Sequence, residues 1–230
     1  MARIILVGGG SSSGKSYITS AVVKEVGAEN VTRLTLDDYY KPRRSLSEQE
    51  QGKVNYDHPK AFDWPLMRQQ IKDLKQGKPI AKPLYDFVCG DRRAEVERIV
   101  PAKVVVIEGI MALVDDQVRK LGDIKVFIDA SPERRFLRRI IRDAKERGRR
   151  FDDIVNQYFR SVQPMYGEIV EPSKQYADLI VNNDGVENLA IDVLASVFRK
   201  EIEIADNPDY VARAQSEEFC EQTLSGVFKI

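Results

Sequence analysis

The chain has 230 residues, of which 43% are hydrophobic and 31% are charged, a composition that is ordinary for a folded globular protein. Its 36 lysines and arginines balance 36 aspartates and glutamates, so no net charge directs it towards nucleic acid or a membrane surface. The only two cysteines, Cys89 and Cys220, lie far apart without a CxxC pattern, which argues against a disulfide framework and a structural zinc site.

The hydrophobic runs are short. The first, at residues 4–7, is too short for a signal peptide, and no stretch reaches the roughly 18 apolar residues that a membrane-spanning helix requires. We therefore expect a soluble cytoplasmic protein with no membrane partner.

Two kinds of segment alternate along the chain. Short β-branched runs predict buried parallel strands; they are Arg3 to Val7, Val31 to Leu36, Lys103 to Ile107, Ile124 to Ile128 and Leu179 to Val181. Helical spacing marks Ser16 to Val26, Trp64 to Gln76, Pro132 to Arg147, Phe151 to Tyr166 and Glu187 to Arg199. This alternation predicts an α/β fold with a doubly wound, mostly parallel five-stranded sheet, in one domain over residues 1–200.

Residues 78–100 break the alternation. Two extended runs, Ile80 to Val88 and Ala94 to Val100, are joined by the turn-like sequence Cys89-Gly90-Asp91-Arg92, which predicts a β-hairpin inserted beside the sheet. The mixed polar pattern of residues 201–230 indicates a C-terminal appendage, whose role the sequence does not reveal.

The strongest motif follows the first strand. Gly9-Gly10-Ser11-Ser12-Ser13-Gly14-Lys15-Ser16 fits the pattern G-x-x-x-x-G-K-[ST] between a strand and a helix, and we call residues 9–16 the P-loop. Backbone N–H groups of such a loop surround a triphosphate. Lys15 is expected to reach its β- and γ-phosphates, and the Ser16 hydroxyl to coordinate Mg²⁺.

A second metal-binding side chain is predicted at the end of the third predicted strand. Glu108 follows Val104-Val105-Val106-Ile107, and ligands of open α/β sheets gather at the carboxyl ends of strands, so Glu108 is expected near the same metal ion. The Asn-Lys-x-Asp motif of regulatory GTPases is missing, which favours ATP as the nucleotide.

The second predicted strand leads into Asp37-Asp38-Tyr39-Tyr40 at the same edge of the sheet. Asp37 lies nearest the strand end and is predicted to be the base that accepts a proton from an attacking hydroxyl. Asp38 is predicted to have a structural role as a turn or cap residue.

Two further segments are candidates for binding the acceptor. In Asn55-Tyr56-Asp57-His58-Pro59, the Asp57 carboxylate suits two neighbouring ribose hydroxyls, whereas a lone histidine such as His58 is more often structural. In the hairpin, Tyr85 and Phe87 offer rings on which a base could stack, although aromatic residues in strands usually serve packing.

Residues 132–150, which we call the arginine lid, carry eight arginines: 134, 135, 138, 139, 142, 147, 149 and 150. Helical spacing places several of them on one face. Interspersed acids, Asp143 among them, weaken a nucleic-acid interpretation and permit surface ion pairs. Arg139, Arg142, Arg147 and Arg149 are expected to close over the phosphates and exclude water, with Arg142 acting beside Lys15 and Asp37 on the reacting groups.

Together these segments resemble the uridine kinase (uridine-cytidine kinase) family over Arg3 to about Arg199. The similarity rests on an ordered set of motifs: the P-loop, Asp37-Asp38-Tyr39-Tyr40, Asn55-Tyr56-Asp57-His58-Pro59, Tyr85-Asp86-Phe87, Ile107-Glu108-Gly109, residues 142–149 and residues 172–178. The resemblance implies phosphorylation of uridine and cytidine at the 5′-hydroxyl with ATP or GTP, in pyrimidine salvage, by a homotetramer.

The resemblance also implies roles for individual residues. Asp37 would be the catalytic base; Asp57 and Arg149 would bind the ribose. Tyr85 and Phe87 would form the walls of the base pocket, with Tyr40, Tyr56 and Gln157 lining the acceptor site. Arg139, Arg142 and Arg147 would face the phosphates, and Ser16, Asp37 and Glu108 would surround Mg²⁺.

One position departs from the family pattern. Family members commonly place a histidine after the hairpin aromatics to contact the exocyclic group of the pyrimidine, and here Gly90 stands at that position. Loss of that contact would relax specificity or change the acceptor, unless Asp91 substitutes for it.

Two other interpretations stay open from the sequence. A kinase of the same fold acting on nicotinamide riboside, phosphoribulose or pantothenate would also fit Asp37-Asp38-Tyr39-Tyr40-Lys41-Pro42. A nucleotide-dependent RNA-binding switch would use the arginine lid, and its binding would fall steeply with salt.

Overall fold

The computed structural model describes residues 1–43, 54–87, 89–185 and 189–207. In chain order the strands are β1 (Arg3–Gly8), β2 (Val31–Thr35), β3 (Ile80–Asp86), β4 (Asp91–Ile99), β5 (Val104–Glu108), β6 (Ile124–Asp129) and β7 (Leu179–Asn182). Five of them form a parallel sheet in the order β2-β5-β1-β6-β7. The predicted five-stranded parallel sheet is confirmed.

The central strand β1 shows why the sheet is buried on both faces. Ile4 and Leu6 contribute to one hydrophobic cluster and Ile5 and Val7 to the other, because successive side chains of a strand point to opposite faces. All four side chains are buried. An apolar run without alternation is therefore what this position requires.

Helices cover both faces of the sheet. The α-helices are α1 (Lys15–Val26), α2 (Trp64–Lys75), α3 (Asp116–Leu121), α4 (Pro132–Glu146), α5 (Phe151–Gln157) and α6 (Leu189–Asp206). α1 and α6 pack on the face of Ile5 and Val7, and α2 and α3 on the face of Ile4 and Leu6. The doubly wound architecture is confirmed.

The predicted hairpin is present, but its turn lies earlier in the chain than the predicted residues 89–92. Within the part of the chain that the structure describes, β3 and β4 pair only with each other and are antiparallel, with Asp86 opposite Asp91. The predicted turn residues Asp91 and Arg92 thus belong to β4, whose predicted first residue is Ala94. Val88, the predicted end of the first run, lies outside the described residues.

The helix predicted from Phe151 to Tyr166 is longer and less regular than expected. After α5 the chain continues through helical turns to Tyr176, with wide turns at Tyr158–Val162 and Tyr166–Val170, a short α-turn at Gln163–Met165 and a narrow 3-10 turn at Glu171–Tyr176. Such irregular turns often occur at functional sites.

The last described helix, α6, runs through the domain boundary that was expected at residue 200. It ends at Asp206, and its buried Glu201 accepts a hydrogen bond from Arg3 at 2.6 Å, so the start of the expected appendage is tied to β1. Glu187, the predicted first residue of this helix, and residues 208–230 lie outside the described ranges. Across those ranges, no helix combines the length and the apolar character needed to cross a bilayer.

Candidate active site

The P-loop depends on two glycines that no other residue could replace without strain. Gly9 (φ +137°) and Gly14 (φ +97°) adopt backbone conformations that side chains disfavour. A Cβ at Gly9 would lie 2.2 Å from the Ile128 carbonyl oxygen, and one at Gly14 would lie 2.1 Å from Asn183 Nδ2. The loop leads directly into α1, whose N terminus favours anions.

Lys15, the first residue of α1, is buried beneath the P-loop. Its Nζ donates hydrogen bonds to the carbonyl oxygens of Gly9 (2.9 Å) and Gly10 (2.8 Å). Burial lowers the pKa of Lys15 to about 8, although the nearby carboxylates of Glu108 and Asp37 oppose this shift. A bound anion such as phosphate would favour the charged ammonium form further.

Glu108, at the end of β5, has one carboxylate oxygen in use and one free. Oε1 accepts a hydrogen bond from Arg33 at 2.9 Å, and Oε2 is buried with no hydrogen-bond partner among the described residues. Within the described residues no cluster of three or more His, Cys, Asp or Glu side chains could hold a metal ion alone. Mg²⁺ usually takes one or two carboxylates and completes its shell with phosphates and water, so Glu108, Asp37 and Ser16 fit this ion.

Asp37 and Asp38 lie in different surroundings. Asp37 faces the cleft, and burial raises the pKa of its carboxyl group, against the opposing effects of Lys15 and Arg147. Asp38 is buried and pairs with Lys82 at 2.6 Å, and it also accepts a hydrogen bond from the Tyr85 N–H at 3.3 Å. The structural role of Asp38 is confirmed, but it anchors the hairpin and does not cap a helix.

Four aromatic rings meet where the hairpin approaches the loop after β2. The Tyr40 ring centroid lies 5.2 Å from those of Tyr56 and Tyr85, and Tyr85 lies 5.3 Å from Phe87. Phe87 remains 47% exposed, and the Arg147 guanidinium lies over its ring at 4.7 Å. These rings form one wall of an open pocket that a planar ligand could enter.

Asp57 is buried beside this pocket. Its carboxylate accepts a hydrogen bond from Ser161 at 3.1 Å, and burial raises its pKa against the nearby Arg139 charge. The neighbouring His58 uses Nδ1 to accept the Lys60 N–H at 3.0 Å, which caps a short helical turn. The structural interpretation of His58 is confirmed.

Asp143 is the centre of the arginine lid. Its side chain is fully buried and lies 2.8 Å from Arg142, 3.5 Å from both Arg147 and Arg149, and 3.6 Å from Arg139. The interspersed acids were expected to permit surface ion pairs for some of the arginines, but Asp143 is buried. Arg147 lies four residues after it, and the chain turns at Gly148 (φ +60°) and brings Arg149 back over it. One carboxylate thus holds four guanidinium groups together.

The lid contacts both the P-loop and the acceptor side. Arg139 donates to Ser11 Oγ at 2.8 Å and to Gln157 Oε1 at 3.0 Å, and Arg149 donates to the same Gln157 oxygen at 2.5 Å. The side-chain oxygen of Gln157 therefore holds the guanidinium groups of both arginines.

A single cleft of about 700 Å³ brings nearly all predicted site residues together. It is lined by Ser11, Ser12, Gly14, Lys15, Ser16, Asp37, Tyr40, Tyr56, Asp57, Tyr85, Phe87, Glu108, Arg139, Arg142, Arg147, Arg149 and Gln157. The predicted residues Gly9, Gly10 and Ser13 belong to the P-loop but do not line the cleft. Ser13 is buried, and a Cβ at Gly10 would lie 2.6 Å from Arg135.

Comparison with known proteins agrees with this architecture. The sequence model described as "Phosphoribulokinase / Uridine kinase family" matches residues 4–190. The chain belongs to this family. Proteins named uridine kinase from Geobacillus kaustophilus and Deinococcus deserti are each 42% identical to it, over 87% and 86% of this chain and 95% and 96% of their own length.

Solved structures share the fold at lower identity. Phosphoribulokinase from Rhodobacter spheroides matches with a TM-score of 0.59 and 13% identity, over 79% of this chain and 70% of its own. D-glycerate 3-kinase from Cryptococcus neoformans matches with a TM-score of 0.58 and 18% identity, over 79% and 86%. These two kinases therefore share the fold of this chain.

Sequence reasoning missed several residues that support the site. Asn183, after β7, donates to the Ser13 carbonyl oxygen at 2.8 Å and holds the P-loop from its far side. Arg135 is buried, donates to the Ala130 carbonyl oxygen at 3.0 Å and stacks 3.6 Å over Tyr166 behind Gly10. The position of Asn183 at a strand end was the available signal, whereas Arg135 could not be told from its neighbouring arginines.

Proposed function

We propose that this protein transfers the γ-phosphoryl group of ATP to the 5′-hydroxyl of uridine, and also acts on cytidine in pyrimidine salvage. The observation that carries the proposal is that the P-loop, Asp37 and the aromatic pocket line one cleft. The similarity to proteins named uridine kinase, at about 40% identity over most of their length, supports uridine as the acceptor.

The triphosphate binds between the P-loop and the arginine lid. The N terminus of α1, Lys15 and Ser16 face it from one side, and Arg139, Arg142 and Arg147 face it from the other. Negative charge spreads over the transferring group in the transition state, and preorganised cations stabilise it there. Arg142 is a suitable catalytic cation because it lines the cleft and is held by Asp143.

Mg²⁺, when bound by Ser16, Asp37 and Glu108, neutralises part of the phosphate charge and orients the triphosphate. Arg33 positions Glu108 for this role by occupying its Oε1, so that Oε2 remains directed to a further partner.

Asp37 accepts the proton of the attacking hydroxyl. Burial raises the pKa of its carboxyl group and makes the carboxylate a stronger base than an exposed aspartate, while the charges of Lys15, Arg147 and Arg142 favour its ionised form. Asp57 and Arg149 bind the ribose hydroxyls, with Gln157 alongside, and the rings of Tyr40, Tyr56, Tyr85 and Phe87 surround the base. In this proposal the 5′-hydroxyl lies nearest to Asp37, and the base lies farthest from the phosphates.

An acceptor panel tests the proposal. Purified protein with Mg²⁺ and γ-labelled ATP or GTP is offered uridine, cytidine, nicotinamide riboside, ribulose 5-phosphate, pantothenate and D-glycerate, and the products are separated. We expect labelled UMP and CMP as the main products. Efficient labelling of another acceptor without any pyrimidine nucleoside turnover would contradict the proposal.

Three further properties belong to the same proposal by family similarity: a homotetramer, a cytoplasmic location, and the absence of nucleic-acid partners. The acids interspersed in the lid and the balanced charge support the last of these. Light scattering of the purified protein tests the assembly, and a binding titration with RNA at two salt concentrations tests the last point.

A further inference from the structure

Arg43 is a cation of the cleft to which the proposed function gives no role with the phosphates or the ribose. Arg43 follows the loop after β2 and lines the cleft beside the turn of the hairpin. Its Nε is buried, and it has no hydrogen-bond partner among the residues that the structure describes. A buried unsatisfied donor is costly, and a ligand that accepts a hydrogen bond would recover this cost.

Hydrogen bonds to the start of β4 hold the segment that carries Arg43 in place. Asp91 Oδ1 accepts the Arg43 N–H at 2.6 Å and the Arg92 N–H at 2.8 Å. The Arg92 guanidinium in turn donates to the Tyr40 carbonyl oxygen at 2.7 and 3.1 Å. The residues that precede Arg43 are therefore clamped to the start of β4, so the arginine is positioned before any ligand binds.

The guanidinium extends towards the space left by Gly90. Arg43 Nη1 lies 3.5 Å from the position that a Cβ at Gly90 would take, and the Tyr56 hydroxyl lies 3.9 Å from the same point. Tyr56 donates its proton to the Gly90 carbonyl oxygen at 3.4 Å, and Tyr85 hydrogen-bonds to Tyr56. The Tyr56 proton is thus occupied, and Arg43 Nε is an unpaired donor that the described residues place at this end of the aromatic pocket.

We propose that Arg43 is a specificity-determining residue that donates a hydrogen bond to the O4 carbonyl of uracil and thereby favours uridine over cytidine. The inference rests on the proposed function. With the ribose at Asp57 and the 5′-hydroxyl at Asp37, O2 lies near the sugar and O4 lies at the far edge of the base, where Arg43 stands. A guanidinium has donors only, so it matches O4 and opposes the N4 amino group of cytosine.

The expected preference is substantial. A hydrogen bond with a charged partner contributes about 1.5–3 kcal/mol, which corresponds to about a 10- to 100-fold difference in kcat/KM between an acceptor and a donor at this position. The effect should be mostly in KM, because the base is remote from the reacting atoms.

The experiment compares the wild-type enzyme, Arg43→Met and the control Arg93→Met with three acceptors: uridine, cytidine and 4-thiouridine. Met keeps an unbranched side chain that can pack as the arginine stem does, and it removes the guanidinium donors. Arg93 lies on the same hairpin, is 53% exposed, pairs with Asp86 and is not among the described residues that line the cleft. Replacing O4 by sulfur weakens the acceptor while leaving the rest of uridine unchanged.

We expect the wild type and Arg93→Met to prefer uridine about 10- to 100-fold over the other two nucleosides, and Arg43→Met to lose most of this preference. Unchanged ratios in Arg43→Met, or a wild-type preference for cytidine, would overturn the inference and leave the kinase function standing. If wild-type protein phosphorylates no nucleoside, the proposed function itself fails.

A thermal melt of each variant checks folding. If Arg43→Met does not fold, Arg43→Lys takes its place, since it keeps the charge but shortens the reach of the donors. Arg43→Lys should then lose preference for uridine while retaining cytidine turnover, and an equal fall for both nucleosides would count against the inference.

Discussion

Replacing Asp143 by Asn isolates the contribution of one buried carboxylate to the arginine lid. The substitution keeps the shape of the side chain and removes a negative charge that lies 2.8 to 3.6 Å from four guanidinium groups. Asp143 itself is fully buried, so the loss leaves a cluster of cations without their counterion.

The size of the effect follows from burial. Removing one partner of a buried ion pair costs about 3–5 kcal/mol. Arg142, Arg147 and Arg149 have side chains about 30% exposed and can recover water, so we expect a free energy of unfolding lowered by about 3 kcal/mol, at the lower end of this range. ATP supplies new negative charge, and it should therefore stabilise the variant more than the wild type.

Denaturant unfolding with and without a non-hydrolysable ATP analogue measures both effects, with Asp153→Asn as the control because Asp153 is exposed at the start of α5. We also expect kcat/KM to fall about 10- to 100-fold, since misplaced guanidinium groups stabilise the transition state less well. If the free energy of unfolding of Asp143→Asn lies within about 0.5 kcal/mol of the wild-type value, as is usual for a surface substitution, this residue does not organise the lid.

Two predictions concern pH. The pKa of Lys15 is lowered to about 8, and its ammonium form binds phosphate, so ATP affinity should fall as pH rises through about 8. The charge of the phosphate itself no longer changes in this range, because its second pKa is about 6. Calorimetric titrations in two buffers should show proton uptake on ATP binding at pH 8.5, and an affinity that does not change from pH 7 to 9.5 would contradict this prediction. Burial raises the pKa of Asp37, and the base must be ionised to accept a proton. Below that pKa, kcat/KM for uridine should therefore fall tenfold per pH unit. A pH profile of kcat/KM that stays level down to pH 4 would exclude Asp37 as the base.

The parts of the site that could be predicted are those with a local signal. The P-loop pattern carries its own geometry, because Gly9 and Gly14 are required by the backbone, and Glu108 and Asp37 were found because they follow apolar strands. Adjacent strands β1, β5 and β2 then bring these three places to one edge of the sheet.

What could not be predicted depends on chain reversal and strand order. Asp143 looks like any acid in a charged helix until Gly148 turns the chain and Arg149 donates its N–H to the Asp143 carbonyl oxygen at 3.1 Å. Asn183 reaches the P-loop from β7, two strands from β1, and a single sequence does not give that order. Arg43 was missed because its significance lies in an unpaired Nε, which only coordinates reveal.

The most direct test of the account is phosphoryl transfer by Asp37→Asn. The account predicts that ATP affinity stays within about threefold of the wild type, because the P-loop is intact, while turnover of uridine falls at least 100-fold with loss of the base. An Asp37→Asn enzyme that turns over uridine at more than a third of the wild-type rate would contradict the claim that the P-loop and this carboxylate act on one ligand.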